Sequence, residues 1–168
     1  MDREQLKTIL PHREPMLLLD SCELGVDDDG TPVARGTYRV RGDEFFLQGH
    51  FPGNPVVPGV IQCEMIAQNC CVLLADDPAL AGATPYYTSL DKVRFKHPVR
   101  PGDVIDLTCS LTRAKGPFRF ARGQASVGGT VCCTAEFSFA LVRQQEGTQE
   151  ETRRQPERSG GDSPRNDA

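Results

Sequence analysis

The sequence predicts an α+β fold in which one largely apolar helix packs against an antiparallel sheet of about five or six strands. Three observations carry this. From Gly59 onward no proline or glycine interrupts the chain until Pro78, and Ile61, Met65, Ala67, Cys71, Val72 and Ala75 recur at roughly helical spacing. The last third alternates apolar and polar residues, the period of half-buried strands. Between these regions lie stretches punctuated by proline and glycine, which mark turns.

Taken in order, Arg3 to Leu10 is a short helical segment with Leu6, Ile9 and Leu10 on one side, ended by Pro11. Leu10 to Pro15 is an extended turn. Its His12, close to two prolines, reads more readily as a packing or capping residue than as a second active-site group. Met16 to Leu24 is apolar enough for a buried strand or an extended lead-in, and Asp27-Asp28-Asp29-Gly30 is a solvated turn, since the alternating ligands and closing Glu of a calcium loop are missing. Val33 to Val40 alternates, with Ala34, Gly36, Tyr38 and Val40 on one face. After the helix, Tyr86 to His97 is a strand with Lys92, Arg94 and Lys96 on one face and Asp91, Val93 and Phe95 on the other. Ile105 to Thr112, Phe118 to Val127 and Val131 to Leu141 are three further strands, the last two joined by the two-residue loop Gly128-Gly129.

Composition bounds the function. The 168 residues suit one domain over 1–142, followed by a polar tail over 143–168 that should be disordered. A net charge of −4 argues against general nucleic-acid binding. No apolar run could span a bilayer and the opening MDREQLKTIL is not a signal peptide, which points to the cytoplasm. Seven cysteines without CxxC spacing read as reduced core residues rather than zinc ligands, so no metal is expected.

The chemistry concentrates between Asp43 and Leu74. His50 sits on a loop, Gly49-His50-Phe51-Pro52-Gly53, that is barred from regular structure. The helix starts at Pro58-Gly59, where free N–H groups and the positive end of the dipole would favour an anion or a developing oxyanion. Glu64 falls inside the apolar helix and needs a partner or a purpose; burial should raise its pKa and suit it to act as an acid. Imidazole, carboxylate and N–H cradle are the three parts of a proton-transfer site.

The segments Ile9–Ser21, Asp43–Asn69 and Leu90–Val104, with GHFPxxPVxPGVxxxExxAQ in the second, resemble the signature blocks of the (3R)-hydroxyacyl-[acyl carrier protein] dehydratases of bacterial type II fatty acid synthesis, the FabZ family. The resemblance runs from about Leu6 to Val142. It implies a hot-dog fold, with the sheet wrapped around the helix, and a homodimer joined edge to edge, often as a trimer of dimers. It implies that His50 and Glu64 are catalytic and come from different subunits, that the Gly59 N–H binds the thioester oxygen, and that the Val56 carbonyl holds the imidazole. Tyr86 matches a position that can gate the acyl tunnel, and Phe51 belongs to the substrate-contacting motif. Lys92, Arg94, Lys96 and Arg100 match the place where the family meets acidic acyl carrier protein. The phosphopantetheine arm of the carrier is part of the substrate, so no separate cofactor is implied.

Gln62, Cys63 and Asn69-Cys70-Cys71 depart from the usual small or aliphatic residues, which leaves room for a specialised polyketide or aryl-polyene dehydratase with its own chain-length preference. A hot-dog acyl thioesterase and a non-catalytic carrier-binding subunit are the alternatives. Isomerase activity belongs to a related family with Asp at the helical carboxylate, so Glu64 favours dehydration.

Overall fold

Helix α1 (Arg3–Ile9) starts on a reciprocal cap in which the Asp2 side chain accepts from Gln5 N at 2.9 Å and the Gln5 side chain accepts from Asp2 N at 2.9 Å. The computed structural model of the chain describes residues 1–75, 77–78 and 82–143. The tail expected beyond residue 142 therefore lies, except for Arg143, outside the described residues.

Six antiparallel strands follow: β1 (Ser21–Val26), β2 (Pro32–Arg39), β3 (Ala83–Phe95), β4 (Val104–Lys115), β5 (Phe118–Val127) and β6 (Thr130–Arg143). Their order in the sheet is β1-β2-β4-β5-β6-β3, so β1 and β3 are the edges. Between β2 and β3 the chain makes a short 3-10 turn (Phe45–Leu47) and then helix α2 (Gly59–Val72), which lies across the middle strands.

Two glycines let α2 approach the sheet closely. A Cβ on Gly36 of β2 would run into the Asn69 side chain, and one on Gly123 of β5 would run into Ile66. Asn69 is fully buried there, donating to Ala34 O at 3.0 Å and accepting from the Cys22 thiol at 3.1 Å. The unusual Asn69 thus packs on the sheet. All seven cysteines are buried and unpaired. Among the described residues no helix is long and apolar enough to cross a membrane, and no group of His, Cys, Asp and Glu is arranged to hold a metal ion.

Of the two readings of Met16–Leu24, a buried strand or an extended lead-in, Met16–Leu19 takes the second; β1 begins only at Ser21. Leu17, Leu18 and Leu19 are fully buried, and two side chains satisfy their backbone in place of a ladder. Gln68 accepts from Leu18 N and donates to Met16 O, both at 2.8 Å, while Arg3 donates to Leu17 O at 2.8 Å and Leu19 O at 3.0 Å. The strict alternation expected of Lys92, Arg94 and Lys96 fails. The β3–β6 register shifts between Asp91 and Arg94, and Lys92 takes φ 47°, so the cations do not follow a period of two.

Candidate active site

His50 stands on the loop between the 3-10 turn and α2. The loop folds back on itself: His50 N donates to Leu47 O at 3.1 Å, Val56 N donates to His50 O at 3.0 Å, and His50 Nδ1 lies 2.9 Å from Val56 O. A carbonyl can only accept, so Nδ1 carries the hydrogen and Nε2 keeps its lone pair. The ring is half-buried and stacks on exposed Phe51, with centroids 4.1 Å apart. Val57 N donates to Val99 O at 2.8 Å and ties the loop to the β3–β4 connection.

Helix α2 opens on Pro58, which offers no side-chain cap. The N–H groups of Gly59 and Val60, at its first turn, have no intrahelical acceptor and face outward with the positive end of the dipole. Glycine at 59 leaves room for Phe95: a Cβ there would lie 2.5–2.7 Å from atoms of that ring, which would have to shift. Val60 beside it is 66 % exposed, a large apolar group left uncovered by its own chain.

Glu64, one turn further in, is mostly buried. Its Oε1 accepts from Gln68 Nε2 at 2.8 Å and lies 3.4 Å from His12 Nε2, a long imidazole–carboxylate contact. Oε2 has no hydrogen-bond partner among the described residues. The carboxylate borders a cavity of about 70 Å³ walled by His12, Ala67, Gln68, Cys71, Tyr87 and Phe139. Tyr87 donates to Cys63 O at 2.8 Å. The expectation of a raised pKa is reversed. Burial does push the Glu64 carboxyl up, but contact with His12, the hydrogen bond from Gln68 and the field of His12 outweigh it, so the group sits below its ordinary value.

The structure brings His50 to Val56 and leaves His50 and Glu64 apart: among the described residues no hydrogen bond or ion pair joins them, and His50 does not line the cavity at Glu64. Tyr86 is half exposed on β3, while the adjacent Tyr87 forms the cavity wall. Lys92, Arg94, Lys96 and Arg100 are all exposed; Lys92 pairs with Glu136 at 3.0 Å, and Arg100 donates to Asn54 Oδ1 at 2.7 Å. A larger cavity, about 420 Å³, opens on the polar face of the sheet among Asp27, Lys92, Ser110, Arg122 and Glu136. It touches neither His50, Gly59 nor Glu64, so the smaller cavity is the one beside the chemistry.

Sequence reasoning missed His12, Gln68 and Tyr87. Gln68 was within reach of it, since a residue four places after Glu64 on a helix shares its face. Nothing local to His12 signals a contact with Glu64, 52 residues away.

One helix laid across a six-stranded antiparallel sheet, with a histidine loop leading into that helix, defines a hot-dog protein. Comparison bears out the class: the dehydratase heterocomplex ApeI:P from Xenorhabdus doucetiae superposes with a TM-score of 0.69 over 83 % of this chain and 91 % of that one, at 24 % identity. The family model of ApeI-like dehydratases matches residues 27–135. The 3-hydroxyacyl-[acyl-carrier-protein] dehydratase FabZ of Clostridium beijerinckii is 42 % identical over 138 residues, 82 % of this chain and 96 % of the relative. That of Caldicellulosiruptor saccharolyticus is 41 % identical over 140 residues, 83 % of this chain and 98 % of the relative. The chain belongs to the FabZ family of 3-hydroxyacyl-[acyl-carrier-protein] dehydratases.

Proposed function

We propose that the chain dehydrates (3R)-hydroxyacyl-[acyl carrier protein] to the trans-2-enoyl thioester in fatty acid biosynthesis, at a site made by two copies of the chain. The observation that carries this reading is the division of the site. His50 is oriented by Val56 with Nε2 open, and Glu64 is oriented by Gln68 with Oε2 open, yet the two do not meet within one chain.

A single chain also lacks room for the substrate. The cavity at Glu64, about 70 Å³, holds a couple of waters at roughly 30 Å³ each. Edge strand β3 meanwhile exposes Tyr86, Leu90 and Phe95, an apolar border that calls for a partner. A homodimer through β3 supplies it, sets His50 of the partner subunit opposite Glu64, and allows further assembly into a trimer of dimers.

In such a site the Gly59 N–H, backed by the helix dipole, accepts the charge that develops on the thioester oxygen, an interaction of a kind worth about 3 kcal/mol in a transition state. His50 Nε2 takes the proton next to the carbonyl. The electron pair forms the new C=C bond and the C3–O bond breaks. Glu64, held ionised, accepts a hydrogen bond from the hydroxyl and aims it, and the leaving oxygen departs as water with the proton that His50 received. Each proton is returned, so the enzyme ends as it began. The lowered pKa of Glu64 favours this orienting role over that of primary acid.

Lys92, Arg94, Lys96 and Arg100 serve as the docking cations for acidic acyl carrier protein, Tyr86 and Phe51 border the acyl path, and the reaction runs in the cytoplasm with no cofactor beyond the phosphopantetheine arm. The ApeI-like match favours a second reading, a specialised dehydratase using the same chemistry on a different acyl chain. Turnover of 3-hydroxybutyryl-carrier protein and longer homologues, followed by mass spectrometry, tests both. A trans-2-enoyl thioester is the expected product; free acid would identify a thioesterase, and carrier binding without turnover a non-catalytic subunit.

A further inference from the structure

We propose that His12 is a positioning residue of this site, holding one oxygen of Glu64 against the N-terminal segment so that the other is presented to the substrate hydroxyl. The inference rests on the dehydratase reading and adds to it a residue from a part of the chain distant in sequence from both His50 and Glu64.

The first observation is placement. His12 lies on the segment between α1 and β1, and that segment is fixed at several points. Arg13 Nη1 donates to Leu10 O at 2.9 Å and to His12 O at 2.6 Å, and Met16 N and Leu17 N both donate to Arg13 O, at 2.8 and 3.0 Å. The next residues are bonded to Gln68, the same side chain that donates to Glu64 Oε1. One buried amide therefore sets both the imidazole's loop and the carboxylate.

The second observation is an orphaned atom. His12 Nδ1 is buried with no hydrogen-bond partner among the described residues. A hydrogen on Nδ1 would be buried without an acceptor. The surroundings therefore favour the tautomer with its hydrogen on Nε2, the nitrogen that faces Glu64 Oε1 at 3.4 Å. In that form the Nε2–H side of the ring faces the carboxylate at 3.4 Å, where it orients Glu64 Oε1 and supports its charge.

The other groups near Glu64 do not supply this. On its own helix, Cys63 and Cys71 flank it, with burial pushing the Cys71 thiol up to about 12; from β3, the Tyr87 phenol is raised by burial and spends its hydrogen on Cys63 O. In the proposed dimer His50 of the partner subunit faces it as well. Gln68 is the second donor, and its remaining polar capacity is committed to Leu18 and Met16.

The test uses the full chain in three forms: wild type, His12→Leu, and His12→Gln, whose Nε2 restores a donor close to the original one. Two readouts are taken, the pH profile of kcat and KM with hydroxyacyl-carrier protein, and the titration of the Glu64 carboxyl followed by carbon NMR on protein labelled at Glu, assigned with Glu64→Gln. The expected result for His12→Leu is a fall in kcat of about 10–100-fold with KM within about threefold, the range seen when a residue that orients a reacting group is removed. The Glu64 titration should move to higher pH by about one unit, and His12→Gln should recover most of that shift. An unchanged Glu64 titration in folded His12→Leu overturns the proposal, as does a loss of kcat that His12→Gln leaves unrepaired. The NMR titration needs no turnover. A wild-type protein that forms no enoyl product would sink the dehydratase reading alone, and the contact would still be judged on the carboxyl.

Discussion

His50 stands on a loop bordered by exposed residues and is aimed by one backbone carbonyl, whereas Glu64 stands on a helix buried along most of its length and is approached by donors from two directions. His50 is thus lightly held and easy to reach, as suits its proposed role of accepting a proton from an arriving substrate. The carboxylate is built into the core through Gln68, so its position is inseparable from the packing of the N-terminal segment. Each half is ordered by its own chain, and the proposed reaction would require only that two ordered halves be brought face to face.

The strongest test of this contrast is complementation. His50→Ala and Glu64→Gln should each lower kcat by about a thousandfold, within the range for loss of a proton-transfer or orienting group. Refolded together, the two inactive proteins should regain about a quarter of the wild-type sites, because half of the randomly formed dimers are mixed and each mixed dimer holds one intact site. A mixture that stays inactive in the enoyl-forming assay would place both residues in one chain and end the contrast.

A second test separates the halves by stability. Gln68→Leu leaves Leu18 N–H and Met16 C=O unpaired in the core and should cost about 3 kcal/mol in urea unfolding as well as activity. His50→Ala should stay within about 0.5 kcal/mol of wild type while losing activity. Equal destabilisation of the two would show that the histidine loop is as much part of the core as α2.

The smallest effect is expected at Gly59. A methyl there meets the Phe95 ring, but that ring is 57 % exposed and can turn aside, so Gly59→Ala should cost about 1 kcal/mol of stability, relieved by adding Phe95→Leu. Activity that falls in Gly59→Ala and returns in the double variant would assign the loss to the displaced ring rather than to the N–H.

Much of this architecture was legible beforehand because it depends on local pattern. Alternation marked β2, β4, β5 and β6, and the stretch free of glycine and proline marked α2 from its first residue. Of the partners of Glu64, Gln68 was within reach and His12 was not. Burial can be read from an apolar helix, but the donors that reverse its effect on the carboxyl come in part from His12, a contact made only when the N-terminal segment crosses α2. Met16–Leu19 stayed open between strand and lead-in for a related reason: a run of buried leucines fits either until Gln68 and Arg3 are seen to satisfy its backbone. The bulge at Lys92 defeated a period-of-two argument that holds only while the register is continuous.

The two edges of the sheet differ in one more way. Beside β1 the chain's own start is stitched on: the Met1 amino group donates to Cys22 O at 2.8 Å, Cys22 N donates to Met1 O at 3.0 Å, and Asp2 bridges to Ser21. Among the described residues, edge strand β3 has no such cover along its thirteen residues. In the vocabulary of step-growth polymers, the described chain has one open end, β3, and one end, β1, that is capped at Ser21 and Cys22. In the proposed dimer two such units would join through β3 and growth would stop, whereas stripping Met1 and Asp2 from β1 would lengthen the second open edge and favour a chain that can extend.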